Sequence, residues 1–188
     1  MGNETILVVD DDEDILELIE RHLSNKGYEV VTAYDGEQAL PLLEKVKFDL
    51  VITDLKMPKI DGMEVLSRVK EKDPNIEVVI LTGHGTMDTV IEALRDGGAF
   101  DYLQKPLYNI KQLSFVTRKA LERKRLKLEN QGLIDTLNES NKRLKEKLTR
   151  VTRDLNGIIN IVASSSDTEM KQTLVPALEA IVEVLKGE

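Results

Sequence analysis

The first 109 residues alternate between two hydrophobic patterns, one typical of buried strands and the other typical of amphipathic helices. Five short, continuous apolar runs occur at residues 6–9, 30–33, 50–53, 78–81 and 102–103. Runs of this length suit strands that are buried on both faces. The stretches between them have apolar residues at helical spacing, and turn-forming pairs such as Asp61–Gly62 separate the segments. The alternation predicts an α/β domain with a doubly wound parallel sheet and helices on both faces.

A long helical pattern follows Pro106. The fifth helix is predicted to begin near residue 109, and no clear stop signal follows it. Further along, heptad position a falls on residues 134, 141, 148, 155 and 162, and position d on 137, 144, 151 and 158. Eight of these nine positions are apolar, and the exception, Asn141, can fix the register of a two-stranded coil. The pattern predicts a coiled coil over residues 125–163 and a homodimer through residues 134–162. A single amphipathic helix that folds back on its own domain is the alternative.

The last segment, residues 164–188, interrupts the heptads and then predicts one more helix. Asp167 or Thr168 is suited to cap this helix, and apolar residues such as Leu178 and Val182 form one of its faces. The helix is too short to be a domain by itself. Two interpretations remain open: it begins an output domain, as its weak resemblance to the first helix of GAF-type sensory domains implies, or it pairs within the dimer.

Charge divides the chain in the same way as the hydrophobic pattern. Residues 1–109 carry 11 Lys+Arg and 23 Asp+Glu, a net charge of −12, whereas residues 110–188 carry 15 and 11, a net charge of +4. The mildly basic second part suits a solvated helix surface, and its densest basic cluster, at residues 123–125, has no interleaved aromatic residues. We therefore predict no direct binding to nucleic acid.

Cysteine is absent, which excludes disulfides, thiolate metal sites and a cysteine nucleophile. The acidic N-terminus is unlike a signal peptide, and no apolar run approaches the roughly 20 residues that span a bilayer. These features predict a cytoplasmic protein without a membrane segment.

Reactive polar residues stand at the carboxyl ends of four predicted strands. Asp10 and Asp11 follow the first strand, Asp54 ends the third, Thr82 ends the fourth and Lys105 follows the fifth. In open parallel sheets, ligands bind beyond these ends. Carboxylates that converge there need a compensating cation, and oxygen ligands suit Mg²⁺. The sequence therefore predicts a magnesium site at this edge of the sheet.

The same residues supply what a phosphoryl transfer needs. An aspartate can act as nucleophile and carry an acyl phosphate, while lysine offers a compact positive charge and threonine a movable hydroxyl donor. Taken singly, the residues have simpler interpretations: Asp12 and Asp14, for example, suit the N-cap and first turn of the first helix. The joint placement of these residue types at four strand ends favours the functional interpretation.

Four motifs resemble the receiver domain of two-component response regulators over about residues 4–124: ILVVDDDEDI, DLVITDLKMPKIDG, VVILTGHG and GAFDYLQKP. The resemblance implies a flavodoxin-like (βα)5 fold with strand order 2-1-3-4-5. It also implies that Asp54 accepts a phosphoryl group from a sensor histidine kinase in a Mg²⁺-dependent reaction. We accordingly expect a receiver domain over residues 1–124, a coiled-coil segment over 125–163 and a C-terminal helix over 164–188.

The resemblance implies further roles for individual residues. Asp10 and Asp11, together with Asp54 and the backbone carbonyl of Lys56, would hold Mg²⁺. Thr82 matches the switch hydroxyl, Tyr102 the switch aromatic that turns inward, and Lys105 the phosphate-binding lysine. The Lys105–Pro106 bond is expected to be cis. His84 occupies a position that tunes dephosphorylation in the family. The signal would leave through the fifth helix into the dimeric coil.

Two alternatives stand beside this interpretation. The sequence LVVDDDED also fits the first-strand signature of haloacid-dehalogenase-type phosphatases, with Asp10 as nucleophile and Asp12 as general acid. That family needs a later acidic pair after its lysine, and no acidic strand end follows Lys105. The second alternative is a dimeric scaffold with an inactive receiver.

Overall fold

The fold is an open parallel sheet flanked by helices and followed by two further helical segments. The computed structural model describes residues 4–83 and 87–186. The strands are β1 (Thr5–Val9), β2 (Glu29–Ala33), β3 (Leu50–Asp54), β4 (Glu77–Thr82) and β5 (Asp101–Gln104). The helices are α1 (Glu13–Ser24), α2 (Gly36–Lys45), α3 (Gly62–Lys72), α4 (Met87–Arg95), α5 (Ile110–Ser164) and α6 (Thr168–Lys186).

The five strands are all parallel and lie in the order β2-β1-β3-β4-β5, which confirms the predicted topology. β3 and β4 are buried along their whole length, whereas the edge strand β2 is only partly covered. Three of the five apolar runs identified in the sequence lie in the interior strands β1, β3 and β4, whose two faces are both covered by helices, and the other two lie in the edge strands.

Alternate residues of the interior strands β1, β3 and β4 supply two separate hydrophobic cores. Leu7 and Val51 belong to the core that α2, α3 and α4 cover, and Ile6 and Ile52 belong to the core that α1 and the start of α5 cover. The two-residue period of a strand sends neighbouring side chains to opposite faces. A run of apolar residues therefore fills both layers at once.

Aspartates begin at least four of the described helices, and one of them is Asp167, whose Oδ1 accepts hydrogen bonds from the first turn of α6. Asp12, Asp35 and Asp61 are the N-caps of α1, α2 and α3, and each side chain accepts a hydrogen bond from a backbone N–H in the first turn. These bonds satisfy donors that the helix itself leaves unpaired. The simple interpretation of Asp12 as a cap is correct.

Helix α5 has 55 residues. Its first turns bury Leu113, Val116 and Ala120 in the core, and the helix then runs on without interruption through the predicted boundary at residues 124/125. The chain divides into two compact units, one ending at Asn130 and the other beginning at Gln131. Within the second unit, the remainder of α5 packs with α6, and Val182 is buried there. No helix within the described ranges is long and apolar enough to cross a membrane.

Candidate functional site

The register of the sheet brings the predicted reactive residues to one edge. Val9 pairs with Thr53, Asp54 with Leu81 and Thr82 with Gln104, so the chain segments that leave β1, β3, β4 and β5 start side by side. Asp10 and Lys105 follow directly from β1 and β5. The carboxyl edge of the sheet therefore gathers these side chains from distant parts of the sequence.

Lys105 is the cation at the centre of this cluster. Its Nζ donates hydrogen bonds to Asp54 Oδ2 at 2.7 Å and to Asp10 Oδ1 at 2.9 Å. Burial by itself would lower the pKa of Lys105, but the hydrogen bonds to Asp10 and Asp54 outweigh it and raise the pKa. The lysine thus keeps its charge and bridges the two carboxylates.

Asp10 is fully buried. Burial raises the pKa of its carboxyl, against the hydrogen bonds from Lys105 and from the backbone N–H of Asp12. Oδ2 lies 2.7 Å from Lys105 Nζ, but without hydrogen-bond geometry, and it has no hydrogen-bond partner in the described part of the chain. A buried carboxylate oxygen in this condition has capacity for another electropositive ligand.

The carboxylates fit a divalent cation. Asp10, Asp11 and Asp54 each place an oxygen so that all three oxygens lie within 4.8 Å of one another. Asp11 is exposed, and the other two are buried. An all-oxygen set that is partly open to water suits Mg²⁺, which retains several water ligands.

Asp54 ends β3, and the start of α3 lies directly behind it. Its Oδ1 accepts a hydrogen bond from the backbone N–H of Lys56 at 3.3 Å. The N–H of Gly62, the first residue of α3, donates to the carbonyl of Leu55. A Cβ on Gly62 would lie 2.1 Å from the carbonyl oxygen of Asp54, so only glycine allows this approach. Gly62 is a supporting residue that the sequence analysis treated only as turn punctuation.

The other predicted site residues occupy different positions around the cluster. Thr82 is buried at the end of β4, and its carbonyl accepts a hydrogen bond from the N–H of Lys105. Tyr102 is 36% exposed on β5, so its ring is not turned into the core. The Lys105–Pro106 peptide is cis, as expected. His84 lies outside the described residues.

A second charged cluster, which the sequence analysis missed, lies at the opposite edge of the sheet. Glu77, the first residue of β4, is completely buried. Its Oε1 accepts a hydrogen bond from Lys127 Nζ at 2.6 Å and lies 3.6 Å from Arg123 Nε, while Oε2 lies 3.9 Å from Lys70 Nζ. Cations from α3 and α5 therefore surround one buried carboxylate.

A neighbouring contact also attaches α5 to this edge of the sheet. Lys124 Nζ donates to Asp49 Oδ1 at 2.8 Å and to the carbonyl of Phe48 at 3.0 Å. The other oxygen of Asp49 accepts a hydrogen bond from the N–H of Thr5. The basic residues of α5 in the 123–127 stretch thus fasten the helix to the amino edge of the sheet.

Comparisons with known proteins agree with this geometry. Residues 6–117 match the family described as response regulator receiver domain. Sporulation initiation phosphotransferase F of Bacillus subtilis is 38% identical over 121 residues, which are 64% of this chain and 96% of that protein. The transcriptional regulatory protein GlrR of Escherichia coli is 40% identical over 102 residues. That match takes in 54% of this chain but only 23% of GlrR, so the chain spans about a quarter of the length of such regulators.

Solved structures give the same result. A response regulator receiver domain protein from Clostridium thermocellum is 42% identical with a TM-score of 0.61, covering 65% of this chain and 98% of that one. NtrX from Brucella abortus, solved with ADP, is 37% identical with a TM-score of 0.65, covering 69% of this chain and 29% of that one. The chain belongs to the response regulator receiver domain family.

Proposed function

We propose that Asp54 accepts a phosphoryl group from the phosphohistidine of a sensor kinase. The observation that carries this proposal is the contact between Asp54 Oδ2 and Lys105 Nζ, beside the three clustered carboxylates. As a receiver the chain is a phosphoacceptor and not a classical enzyme. Family membership also implies a cognate histidine kinase as partner.

In the proposed reaction, a carboxylate oxygen of Asp54 attacks phosphorus, a P–O bond forms, and the P–N bond to the imidazole breaks with its electron pair leaving on nitrogen. Lys105 holds the carboxylate in place and offers its charge to a phosphoryl oxygen. Asp10, Asp11, Asp54 and the carbonyl of Lys56 are the groups that would hold Mg²⁺. The bound ion would neutralise charge on the transferring group.

Once Asp54 is phosphorylated, the single negative charge of its carboxylate is replaced by the roughly 1.5 to 2 negative charges of the phosphoryl group, in an already acidic pocket. Thr82 is proposed to move its hydroxyl toward the phosphoryl group, and Tyr102, which is partly exposed before phosphorylation, to turn inward. These changes alter the surface next to α5. The proposed readout is a change in a homodimer formed through residues 134–162.

The phosphatase alternative has less support from the same residues. Its nucleophile, Asp10, has a side chain with no exposed surface, whereas the side chain of Asp54 is 11% exposed. Its general acid, Asp12, is engaged as the N-cap of α1, where its Oδ1 accepts hydrogen bonds from the N–H groups of Asp14 and Ile15. We therefore favour Asp54 as the nucleophile.

The test is phosphorylation by acetyl phosphate, followed by intact mass with and without Mg²⁺. The wild-type protein should gain one phosphoryl group only with Mg²⁺, and Asp54→Ala should gain none. Asp14→Ala, which removes an exposed carboxylate of α1, is the matched control and should label normally. An Asp54→Ala protein that still forms an acyl phosphate on Asp10 would overturn the assignment.

A further inference from the structure

Helices α5 and α6 form a hairpin in the second unit of the chain. α5 ends at Ser164 and α6 begins at Thr168, so a short connection joins two packed helices, which must run antiparallel. α6 has 19 residues and is about 28 Å long at 1.5 Å per residue. It can therefore accompany α5 back to about residue 146, and earlier residues of α5 lie beyond its reach.

Each helix of the hairpin carries two adjacent apolar stripes rather than one. The inner stripe of α6 is the less exposed one and has heptad-like spacing; it consists of Val175, Leu178, Val182 and Leu185. A second stripe with the same spacing is displaced by one residue and exposed; it consists of Met170, Leu174, Ala177, Ile181 and Val184. A helix that packs against a single neighbour buries only one apolar stripe, so the second stripe of each helix is available to another neighbour.

The predicted coiled-coil seam of α5 is divided in the same way. Positions a and e at Leu155, Ile159 and Val162 are partly buried. Positions d and g at Val151, Ile158 and Ile161 remain between 46% and 71% exposed. The a and d residues of this segment thus differ in burial, whereas the sequence pattern assigned them to a single seam.

The two exposed stripes lie on the same side of the hairpin. With about 100° between successive residues, Ile158 and Ile161 lie roughly 60° and 120° to one side of Leu155 around the axis of α5. By the same measure, Leu174 and Ile181 lie roughly 80–100° from Val182 around the axis of α6, in the same rotational sense. In an antiparallel pair, equal rotations point to the same side of the plane through the two axes. The exposed residues of both helices therefore make one continuous open face.

We propose that this open face binds the open face of a second copy of the chain, so that residues 146–186 of two chains form a four-helix bundle. The proposal deepens the homodimer of the proposed function and rests on it. The open face continues along α5 through Leu144 and Leu137, which are exposed and lie beyond α6. In that segment only the two α5 helices meet, as a two-stranded coil.

Two features identify the occupant as a second copy rather than another protein. The d-position stripe runs without a break from residue 137 to residue 158, so one partner must follow α5 through both segments with the same seven-residue repeat. Asn141 lies at an a position inside this seam, and an asparagine amide, which both donates and accepts, is complementary to the same residue across a two-fold axis. An isologous dimer satisfies both conditions.

Sedimentation equilibrium of the full chain and three variants tests the proposal. Ile181→Glu places a carboxylate on the open face of α6 and should raise the dimer dissociation constant by about 100-fold or more. Gln172→Glu adds the same charge at an exposed position on the other side of α6 and should leave it unchanged. Leu137→Glu, in the two-stranded segment, should also weaken the dimer. Circular dichroism should show unchanged helix content for each variant.

Crosslinking gives an independent measurement, because the chain has no native cysteine. Single-cysteine variants Ile158→Cys and Ile181→Cys, treated with a short bismaleimide, should both yield covalent dimers. Crosslinking at residue 158 alone, together with an unaffected Ile181→Glu dimer, would overturn the bundle but leave a dimer formed by α5. A wild-type chain that is monomeric throughout would overturn both the bundle and the dimer. Labelling of Asp54 is measured separately and remains a test of the phosphoacceptor alone.

Discussion

Replacing Lys127 with methionine removes the strongest partner of the buried carboxylate of Glu77. The exchange keeps a flexible apolar side chain of similar length and removes the ammonium group. Lys127 Nζ is 2.6 Å from Glu77 Oε1, whereas Arg123 and Lys70 lie 3.6 Å and 3.9 Å from the carboxylate oxygens, beyond hydrogen-bond distance. The variant therefore leaves a fully buried carboxylate near two cations but without its hydrogen bond.

The expected loss of unfolding free energy is about 2 kcal/mol. A hydrogen bond to a charged group contributes about 1.5–3 kcal/mol, and removing one partner of a buried ion pair costs about 3–5 kcal/mol when nothing compensates. Because Arg123 and Lys70 still compensate part of the buried charge of Glu77, we expect a loss within the lower of these two ranges. With a urea dependence of about 2 kcal/mol per M, the unfolding midpoint should fall by about 1 M.

Urea unfolding followed by circular dichroism measures this loss, and Lys119→Met is the matched control. Lys119 also pairs with a glutamate, Glu122 at 2.9 Å, but both side chains are well exposed, so its midpoint should hardly move. Adding Glu77→Gln to Lys127→Met should recover part of the loss, because the unpaired charge is then gone. Equal midpoint shifts for Lys127→Met and Lys119→Met would refute the reasoning.

Two further substitutions test the support and the charge of the site. Gly62→Ala should lower the unfolding free energy by about 1–3 kcal/mol, since its Cβ would collide with the carbonyl oxygen of Asp54. Gly132→Ala, in an open part of α5, should instead raise stability slightly. A comparison of the melting temperatures of the two variants checks both expectations. Lys105→Met should slow labelling of Asp54 by acetyl phosphate by about 100-fold with the fold retained, because the transferring group loses its cation; an unchanged labelling rate would remove Lys105 from the proposed reaction.

Much of the receiver fold could be predicted from the sequence because two independent signals coincide in it. The interior strands are short and almost wholly apolar, which only a doubly covered sheet explains, and they alternate with amphipathic helices. The positions of Asp10, Asp54 and Lys105 at strand ends then followed from topology alone, since parallel strands carry their carboxyl ends to one edge. The structure brings these three side chains into contact, as that argument requires.

The charged cluster around Glu77, at the other edge of the sheet, could not be predicted, because no local sequence pattern marks its residues. Glu77 stands at the start of an apolar strand, where a glutamate ordinarily lies at the surface, and in the sequence Lys127 is one of many charges on a helix predicted to be solvated. Their pairing joins residues 50 positions apart and depends on the exact rotation with which α5 leaves the sheet. A glutamate directly before a buried strand, together with basic residues after the core-facing part of a long helix, is the only sequence signal that could have suggested it.

The exposure pattern of α5 shows why a heptad pattern alone does not identify every neighbour of a helix. A seven-residue apolar repeat indicates that a helix contacts a neighbouring helix along its length. Apolar residues at positions a and d alone describe a single such neighbour. In α5 the flanking position e at Ile159 and position g at Ile161 are also apolar, which widens the stripe beyond what a two-stranded coil needs. In α6 the same excess appears as two complete repeats displaced by one residue, represented by Val182 and Ile181. Two repeats per helix offer apolar surfaces to two neighbours; the hairpin supplies one of them, and the second copy of the chain that we propose would supply the other.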